Sequence, residues 1–318
     1  MYAFLMRQTY GIQGTETTIA HLPSVKLKAL SIPAPPIEEQ RAIAHLLRTV
    51  QRTKEATEKV IAATRQLKAS LMRHLFTYGP VSFKQADRVP LKQGQFGPAA
   101  EHWELLPLAE AVAEIDYGLS APIPKTRPVS GIKVVSTADL TKDGKVLYAQ
   151  IRDVEAPPRT VERLTLRSGD LLFNWRNSPE LIGKTAIFNG QTEPHIFASF
   201  ILRIRLDERK SHNEFLKYLL NYYRERGVFL LLARRAVNQT NYNRNEISVL
   251  EIPLPPIEEQ HEIARQLVAA DGKLEAEIRQ RAGLESLFRT LLHHLMTGKL
   301  RVKDLDPTDH SHDGTAAG

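Results

Sequence analysis

The chain contains no cysteine among its 318 residues, and only four methionines and two tryptophans. It can therefore build no disulfide framework, thiolate zinc site or cysteine nucleophile, and the composition suits a reducing cytoplasm. Continuous apolar sequence is also scarce. The opening Met1-Tyr2-Ala3-Phe4-Leu5-Met6-Arg7 lacks the basic start and apolar core of a secretory signal. No stretch approaches the ~18 apolar residues that span a bilayer, so no membrane association is expected. A Gly-rich phosphate loop, a paired-histidine zinc motif and a G-x-S-x-G elbow are all missing, which removes the commonest catalytic signatures.

What the chain does carry is positive charge and a repeat. Lys and Arg number 43 against 36 Asp and Glu, a formal charge of +7. The excess is +4 over residues 38–78 and +5 over residues 79–236. A basic balance of this kind favours a polyanionic partner. At roughly 100 to 200 residues per domain, the length predicts two or three units.

Residues 32–44 read I-P-A-P-P-I-E-E-Q-R-A-I-A and residues 252–264 read I-P-L-P-P-I-E-E-Q-H-E-I-A, with ten of thirteen positions identical. At the same offset, Leu67, Leu71, His74, Leu75 and Thr77 fall on Leu287, Leu291, His294, Leu295 and Thr297. Each copy is thus one element of fixed length. Pro33, Pro35 and Pro36 hold the lead-in extended, so a helix can begin only near Pro36. Glu38 and Glu39 then oppose the positive end of its dipole. Steps of three and four follow through Ile43, Leu47, Val50, Thr53, Thr57, Val60, Thr64, Leu67, Leu71 and Leu75. The second copy answers with Ile263, Leu267, Ala270, Leu274, Ile278, Leu284, Phe288, Leu291 and Leu295, interrupted at Arg281.

A helix of about 60 Å with so narrow a stripe needs an equally long partner. The two are expected to form an antiparallel coiled coil, with Ile43, Leu47, Val50, Leu67 and Leu71 facing Ile263, Leu267, Leu284, Leu287, Phe288 and Leu291. The stops are Tyr78-Gly79-Pro80 and Thr297-Gly298.

The chain divides accordingly. Residues 32–78 and 252–300 are the long helices, and 79–251 a globule between them. In the globule, β-rich runs at Ile132–Val135, Leu164–Leu166, Asp170–Trp175, Thr185–Phe188 and Phe197–Leu206 are separated by turns at Lys142-Asp143-Gly144-Lys145, Arg167-Ser168-Gly169-Asp170 and Asn189-Gly190. Asn213–Arg235 has helical spacing. The fold class is therefore α+β, a globule flanked by two long helices. Residues 1–31 align at the same offset with 221–251, which marks them as the remnant of a first globule of the same kind. Residues 301–318 form a polar tail, expected to be disordered.

Candidate chemistry is mainly that of binding. Three clusters in the globule combine cations with amide or aromatic side chains. They are Lys125-Thr126-Arg127; Asn174-Trp175-Arg176-Asn177-Ser178 with Lys184; and the run Arg224, Arg226, Arg234, Arg235, Asn238, Gln239, Asn241, Asn243, Arg244. Arg reads guanine edges bidentately, Asn and Gln read adenine, and Lys holds phosphate. The candidate DNA-contacting set is Lys125, Arg127, Asn174, Trp175, Arg176, Asn177, Lys184, Arg234, Arg235, Asn238, Gln239 and Asn241. The competing reading is a solvated basic surface with Asn-rich turns. Asp153-Val154-Glu155 as a metal-nuclease pair, and His293-His294 or His310-Ser311-His312 as metal ligands, lack supporting partners in the sequence, so no metal site is expected.

These residues have a known parallel. The doubled I-P-x-P-P-I-E-E-Q box, leading into a helix that ends near L-x-T-G-K-L-R-V at Leu295–Val302, resembles the specificity subunits of type I restriction-modification systems. The runs I-K-V-V-S-T-A-D-L, D-G-K, L-R-S-G-D-L-L-F-N-W-R-N-S, E-L-I-G-K-T-A and F-A-S-F-I-L-R-I-R are similar to a target-recognition domain of that family. The resemblance implies a non-catalytic adaptor that reads one half of a bipartite double-stranded DNA target. Its helices would act as spacer and dock methyltransferase subunits that use S-adenosylmethionine. A separate restriction subunit would use ATP and Mg. The chain itself would hold no cofactor, and a second specificity chain is a further candidate partner. The alternatives are a coiled-coil interaction scaffold whose globule binds protein, and an inactive fragment of such a specificity subunit.

Overall fold

The computed structural model describes residue 28 and residues 34–122, 131–232, 234–236 and 239–305, with the side chains of 234–236, 239–241 and 305 left aside. Residues 1–27 and the tail beyond 305, with His310 and His312, lie outside the described residues. The chain divides into two compact units, Met1–Val60 with Glu277–Gly318, and Ile61–Ala276.

Three helices longer than ten residues occur among the described residues: α1 (Ile37–Tyr78), α2 (Asn213–Glu225) and α3 (Ile257–Met296). The two long ones start one residue after the proline pair and stop before Gly79 (φ +82°) and Gly298 (φ +70°), where a left-handed residue ends the helix. None is long and apolar enough to cross a membrane.

The doubled box has a local geometry that repeats. Gln40 Nε2 donates to the Pro35 carbonyl at 2.8 Å, and Gln260 Nε2 donates to the Pro255 carbonyl at 2.8 Å. The glutamine thus satisfies a carbonyl that the proline-locked lead-in turns away from the helix ladder. The copies differ in what else they hold. Gln260 is 0% exposed; it also donates to Lys210 O and accepts the backbone N–H of His212. Glu259 accepts the buried Trp103 indole at 2.9 Å and meets His102 at 2.8 Å. Gln40 is exposed, and Glu39 meets Arg301 at 4.0 Å.

In the first unit α1 and α3 run antiparallel. Glu39 meets Arg301, Lys54 meets Glu285 at 2.9 Å and Glu58 meets Arg281 at 4.0 Å, so partner numbers fall as helix numbers rise. Ile43, Val50, Leu291 and Leu295 are buried there, with Leu46, Leu47, Leu284 and Phe288 packed against them. The second unit keeps that order through the Lys68–Asp271 pair.

The seam departs from the expected stripe in phase. Val60, Leu67 and Leu287 are exposed, and Thr53 faces solvent. The buried positions are Ile43, Val50, Thr57 and Thr64 at seven-residue spacing, interleaved with Lys54, Ile61 and Lys68. Lysine stems cover apolar surface while their ammonium ends reach the acids of the other helix. Lys54 lies 5.7 Å from the Phe288 ring centroid and Lys68 lies 5.4 Å from that of Tyr218.

The second unit holds the α+β globule. In chain order its strands are β1 (Leu91–Gly94), β2 (Gly97–Ala100), β3 (Glu104–Pro107), β4 (Val112–Tyr117), β5 (Ile132–Val135), β6 (Arg152–Val154) and β7 (Leu171–Asn174). There follow β8 (Arg176–Asn177), β9 (Thr185–Ile187), β10 (His195–Phe197), β11 (Ile201–Leu206), β12 (Arg234–Ala236), β13 (Gln239–Asn241) and β14 (Glu251–Leu254). The central sheet has the order β4-β11-β7-β9 and is antiparallel throughout.

Both faces of that sheet are covered, which is why β7 is apolar without alternation from Leu171 to Phe173, while β11 holds Arg203 and Arg205 in ion pairs with Asp116 and Asp170. Leu171, Phe173, Leu202 and Ile204 join a core with Phe215, Leu219 and Tyr223 of α2, with Met72, Leu75 and Phe76 of α1, and with Ile263 and Leu267 of α3. Leu172 and Ile201 face a second core with Val134, Val135, Leu164, Ile196 and Phe197. Smaller sheets are β10-β5-β6, β1-β2, β14-β3 and β12-β13-β8.

Two runs differ from their reading in the sequence. Leu164 closes a short helix (Pro158–Leu164) rather than opening a strand, because Pro158 starts a turn of helix. The helical spacing of Asn213–Arg235 is broken at Gly227 (φ +75°), after which Val228–Leu232 forms a separate turn and Arg234 enters β12.

The two box glutamines generate a paired prediction. Gln260→Ala strips three backbone groups, one buried and two half-buried, of their partner and should cost about 2 kcal/mol, whereas Gln40→Ala should stay within about 0.5 kcal/mol. Urea unfolding should show a lower midpoint for the first at unchanged slope and almost no shift for the second.

Candidate nucleic-acid interface

The end of the central sheet where β4 and β7 finish and β11 begins gathers the sequence clusters. Register pairs Tyr117 with Leu202 and Asn174 with Ile201, so Tyr117, Trp175 and Phe200 stand together at the close of the paired residues. Tyr117 and Trp175 meet edge-on at 5.3 Å, and Trp175 and Phe200 at 6.2 Å. The Trp175 indole donates to Ser199 O at 2.7 Å, which fixes the ring. Gly118 follows Tyr117 immediately; a Cβ there would lie 2.3 Å from the Ala198 carbonyl oxygen, so only glycine lets the backbone pass. The segment holding Lys125 and Arg127 departs from this point, and both residues lie outside the described ones.

Beyond Trp175 the chain continues as β8, which pairs with β13, and β13 pairs with β12. This small sheet places Arg176 opposite Asn241, itself opposite Arg234, and places Asn177 opposite Thr240, itself opposite Arg235. Arg176, Asn241 and Arg234 therefore share one cross-strand row, and Asn177, Thr240 and Arg235 share the next. Two clusters more than fifty residues apart in sequence are thereby joined, with Gln239 paired to Ala236 at the hairpin end. The hairpin returns to the core through Tyr242, whose ring is buried against Phe229 at 5.3 Å and whose backbone N–H donates to Trp175 O at 2.8 Å. Asn238 lies outside the described residues.

The remaining candidates separate by burial. Arg176 and Asn177 are half-buried, with the Arg176 guanidinium 4.9 Å from the Phe200 ring centroid. Asn174 is fully buried, its amide donating to Leu181 O at 3.0 Å. Lys184 is also buried and donates to Thr137 O at 2.8 Å and Leu140 O at 2.6 Å. Both therefore brace the turn behind Trp175 instead of presenting polar atoms to solvent. Burial, with Arg224 and Lys142 adding to it, holds the Lys184 ammonium below its usual pKa.

Three members of the third run likewise have structural partners. Arg224 donates to Lys142 O at 2.9 Å, and Arg226 to Phe96 O at 2.7 Å. Asn243 caps the helix Arg244–Ser248, accepting from the backbone N–H groups of Asn245 and Glu246.

Tyr117 and Phe200 are absent from the sequence candidates, although each is 38% exposed beside Trp175. Phe200 reaches Trp175 through the pairing of β7 with β11, and Tyr117 through the pairing of β4 with β11, so no spacing in the sequence signals them. Tyr117 is further fixed by its hydroxyl, which accepts the Arg244 backbone N–H at 3.0 Å. Next to it on β4, Asp116 pairs with the buried Arg203 at 2.7 Å, while Arg205 bridges Glu114 and Asp170. A hydrogen bond with Asp116, and then burial, raise the Glu114 pKa. Burial works against Asp116, but hydrogen bonds from Glu114 and Arg203 hold its carboxyl below the usual range. Among the described residues no group of three or more His, Asp or Glu is placed to hold a metal ion.

Replacing Lys184 with Met should leave the buried Leu140 carbonyl and the half-buried Thr137 carbonyl without this donor and cost about 1 to 3 kcal/mol. The folded-state pKa of Lys184 lies below the unfolded value of 10.5, so the unfolded chain binds more protons in that interval. Wild-type stability should therefore gain on the Lys184→Met variant as pH rises towards 10.5, as read by urea unfolding at several pH values.

A family model described as the type I restriction modification DNA specificity domain matches residues 127–285. The chain is 34% identical over 186 residues to the putative type I restriction enzyme MjaX specificity subunit of Methanocaldococcus jannaschii, covering 57% of this chain and 42% of that protein. It is 28% identical over 310 residues to the type I restriction enzyme MjaVIII specificity subunit of the same organism, covering 96% of this chain and 69% of that one. The fold is similar to the crystal structure of the HsdS subunit from Thermoanaerobacter tengcongensis, with a TM-score of 0.53 and 20% identity over 94% of this chain and 67% of that one. The chain thus spans from about two fifths to about two thirds of the length of these relatives.

Proposed function

The chain belongs to the family of type I restriction modification DNA specificity domains, and from that premise we propose that it acts as a DNA-reading specificity subunit. Its globule binds double-stranded DNA through the end of the central sheet and reads one half of a bipartite target. The chain supplies recognition and no catalysis. Adenine methylation from S-adenosylmethionine belongs to methyltransferase subunits docked on the long helices. ATP- and Mg-dependent translocation and cutting belong to a restriction subunit. A second specificity chain would supply the other half-site. The complex works in the cytoplasm.

The observation that carries this reading is the sheet β12-β13-β8, which draws Arg234, Arg235 and Asn241 alongside Arg176 and Asn177 at the aromatic edge. Cations and amides on adjoining strands suit a groove lined by phosphates and base edges. Lys125, Arg127, Asn238 and Gln239 belong to the same proposed surface by their place in the chain. Asn174 and Lys184 support it from behind.

Duplex binding by the purified chain should weaken steeply with salt. Arg176→Ala or Arg235→Ala should flatten the log–log salt slope by about one unit if the residue holds a phosphate, or cost about 1 to 3 kcal/mol on the cognate duplex alone if it reads a base. Lys184→Met should leave the slope unchanged. Binding that ignores salt, or that survives all of these substitutions, would return the globule to a protein-binding scaffold.

A further inference from the structure

The polar residues of the reading edge surround an apolar feature that the proposed function does not use. Tyr117 and Phe200 each expose 38% of their surface beside Trp175. Aromatic rings exposed side by side and rimmed by polar residues make the kind of patch that marks an interaction site. Each is held firmly: Trp175 packs edge-on against both, its indole is tied to Ser199 O, and the Tyr117 hydroxyl accepts the Arg244 N–H. Phe200 also carries Arg176 over its ring, which orders the guanidinium before any ligand arrives. A cation flanks the rings on one side through Arg176 of β8, whose strand is joined by β13 to the Arg234-Arg235 strand β12. The occupant is therefore polyanionic and yet offers an apolar group close to its hydrogen-bonding edge. In the major groove of DNA that group is the 5-methyl of thymine, which aromatic and aliphatic side chains contact directly.

We propose that Tyr117 and Phe200 form a methyl-reading platform, packing on a thymine 5-methyl group while Arg176, held over Phe200, addresses the adjoining base or phosphate. This rests on the reading of the globule as a DNA-binding domain, and it adds to that reading two residues and a chemical preference.

The test uses duplexes recovered with the full chain from a random-core pool and resynthesised with either thymine or uracil. Wild-type protein should bind the uracil form about fourfold more weakly, the effect of one buried methyl group. In Phe200→Gln the thymine-to-uracil ratio should fall to about one while the salt slope is kept. Phe200→Leu, which retains an apolar contact, should preserve most of the ratio and remains informative if the glutamine variant folds poorly. Equal wild-type binding of the two forms, with the salt dependence intact, would overturn the platform and leave DNA reading standing. An undiminished ratio in Phe200→Gln would equally overturn it. Failure of every duplex to bind with salt dependence would remove the DNA-binding reading and this inference together.

Discussion

One buried carboxamide, that of Gln260, adds a polar tie to elements that share an apolar core. It closes the proline lead-in of α3 on itself, receives the N–H that opens α2, and reaches the Lys210 carbonyl. Glu259 beside it holds the Trp103 indole. The start of α3, the start of α2 and the segment after α1 are thereby fixed at one point, and α2 in turn supports the central sheet whose far residues carry the aromatic edge. Because the carboxamide is itself buried, its loss would leave the Pro255 carbonyl without a partner and loosen the bonds to Lys210 and His212 together.

The same economy governs the helix seam. Its middle is polar: Lys54, Thr57, Thr64 and Lys68 stand where a simple coiled coil would have aliphatic residues. Lysine opposite acid is favourable only in one alignment of the two helices, since a slip of one heptad would set cations against apolar or cationic positions. The apolar ends at Ile43, Val50, Leu291 and Leu295 supply burial, and the charged middle supplies register.

The long helices are legible in the sequence because a doubled proline box and a 3.5-residue period are local signals. The phase of the stripe is not, since a count of apolar residues chooses Val60 and Leu67 and passes over Lys68, whose stem does the covering. In the globule, the runs around Ile132, Leu171, Thr185 and Ile201 announce strands through composition. The first four strands, with Gly, Pro and polar residues, do not. The basic clusters draw attention to one edge of the sheet, but only tertiary pairing separates Arg176, half-buried on that edge, from Asn174 and Lys184, which are inside. Tyr117 and Phe200 escape notice for the same reason: an aromatic residue at a strand end looks like core until the pairing shows what lies beyond it.

The division of labour within the globule has a corollary. The grip on α3 uses an indole, an imidazole and backbone groups, none of which belongs to the aromatic edge or to the β12-β13-β8 sheet. Substitutions that alter the edge therefore leave the grip on α3 intact. The matching Glu39-Gln40 pair at the head of α1 offers the same acceptors a second time.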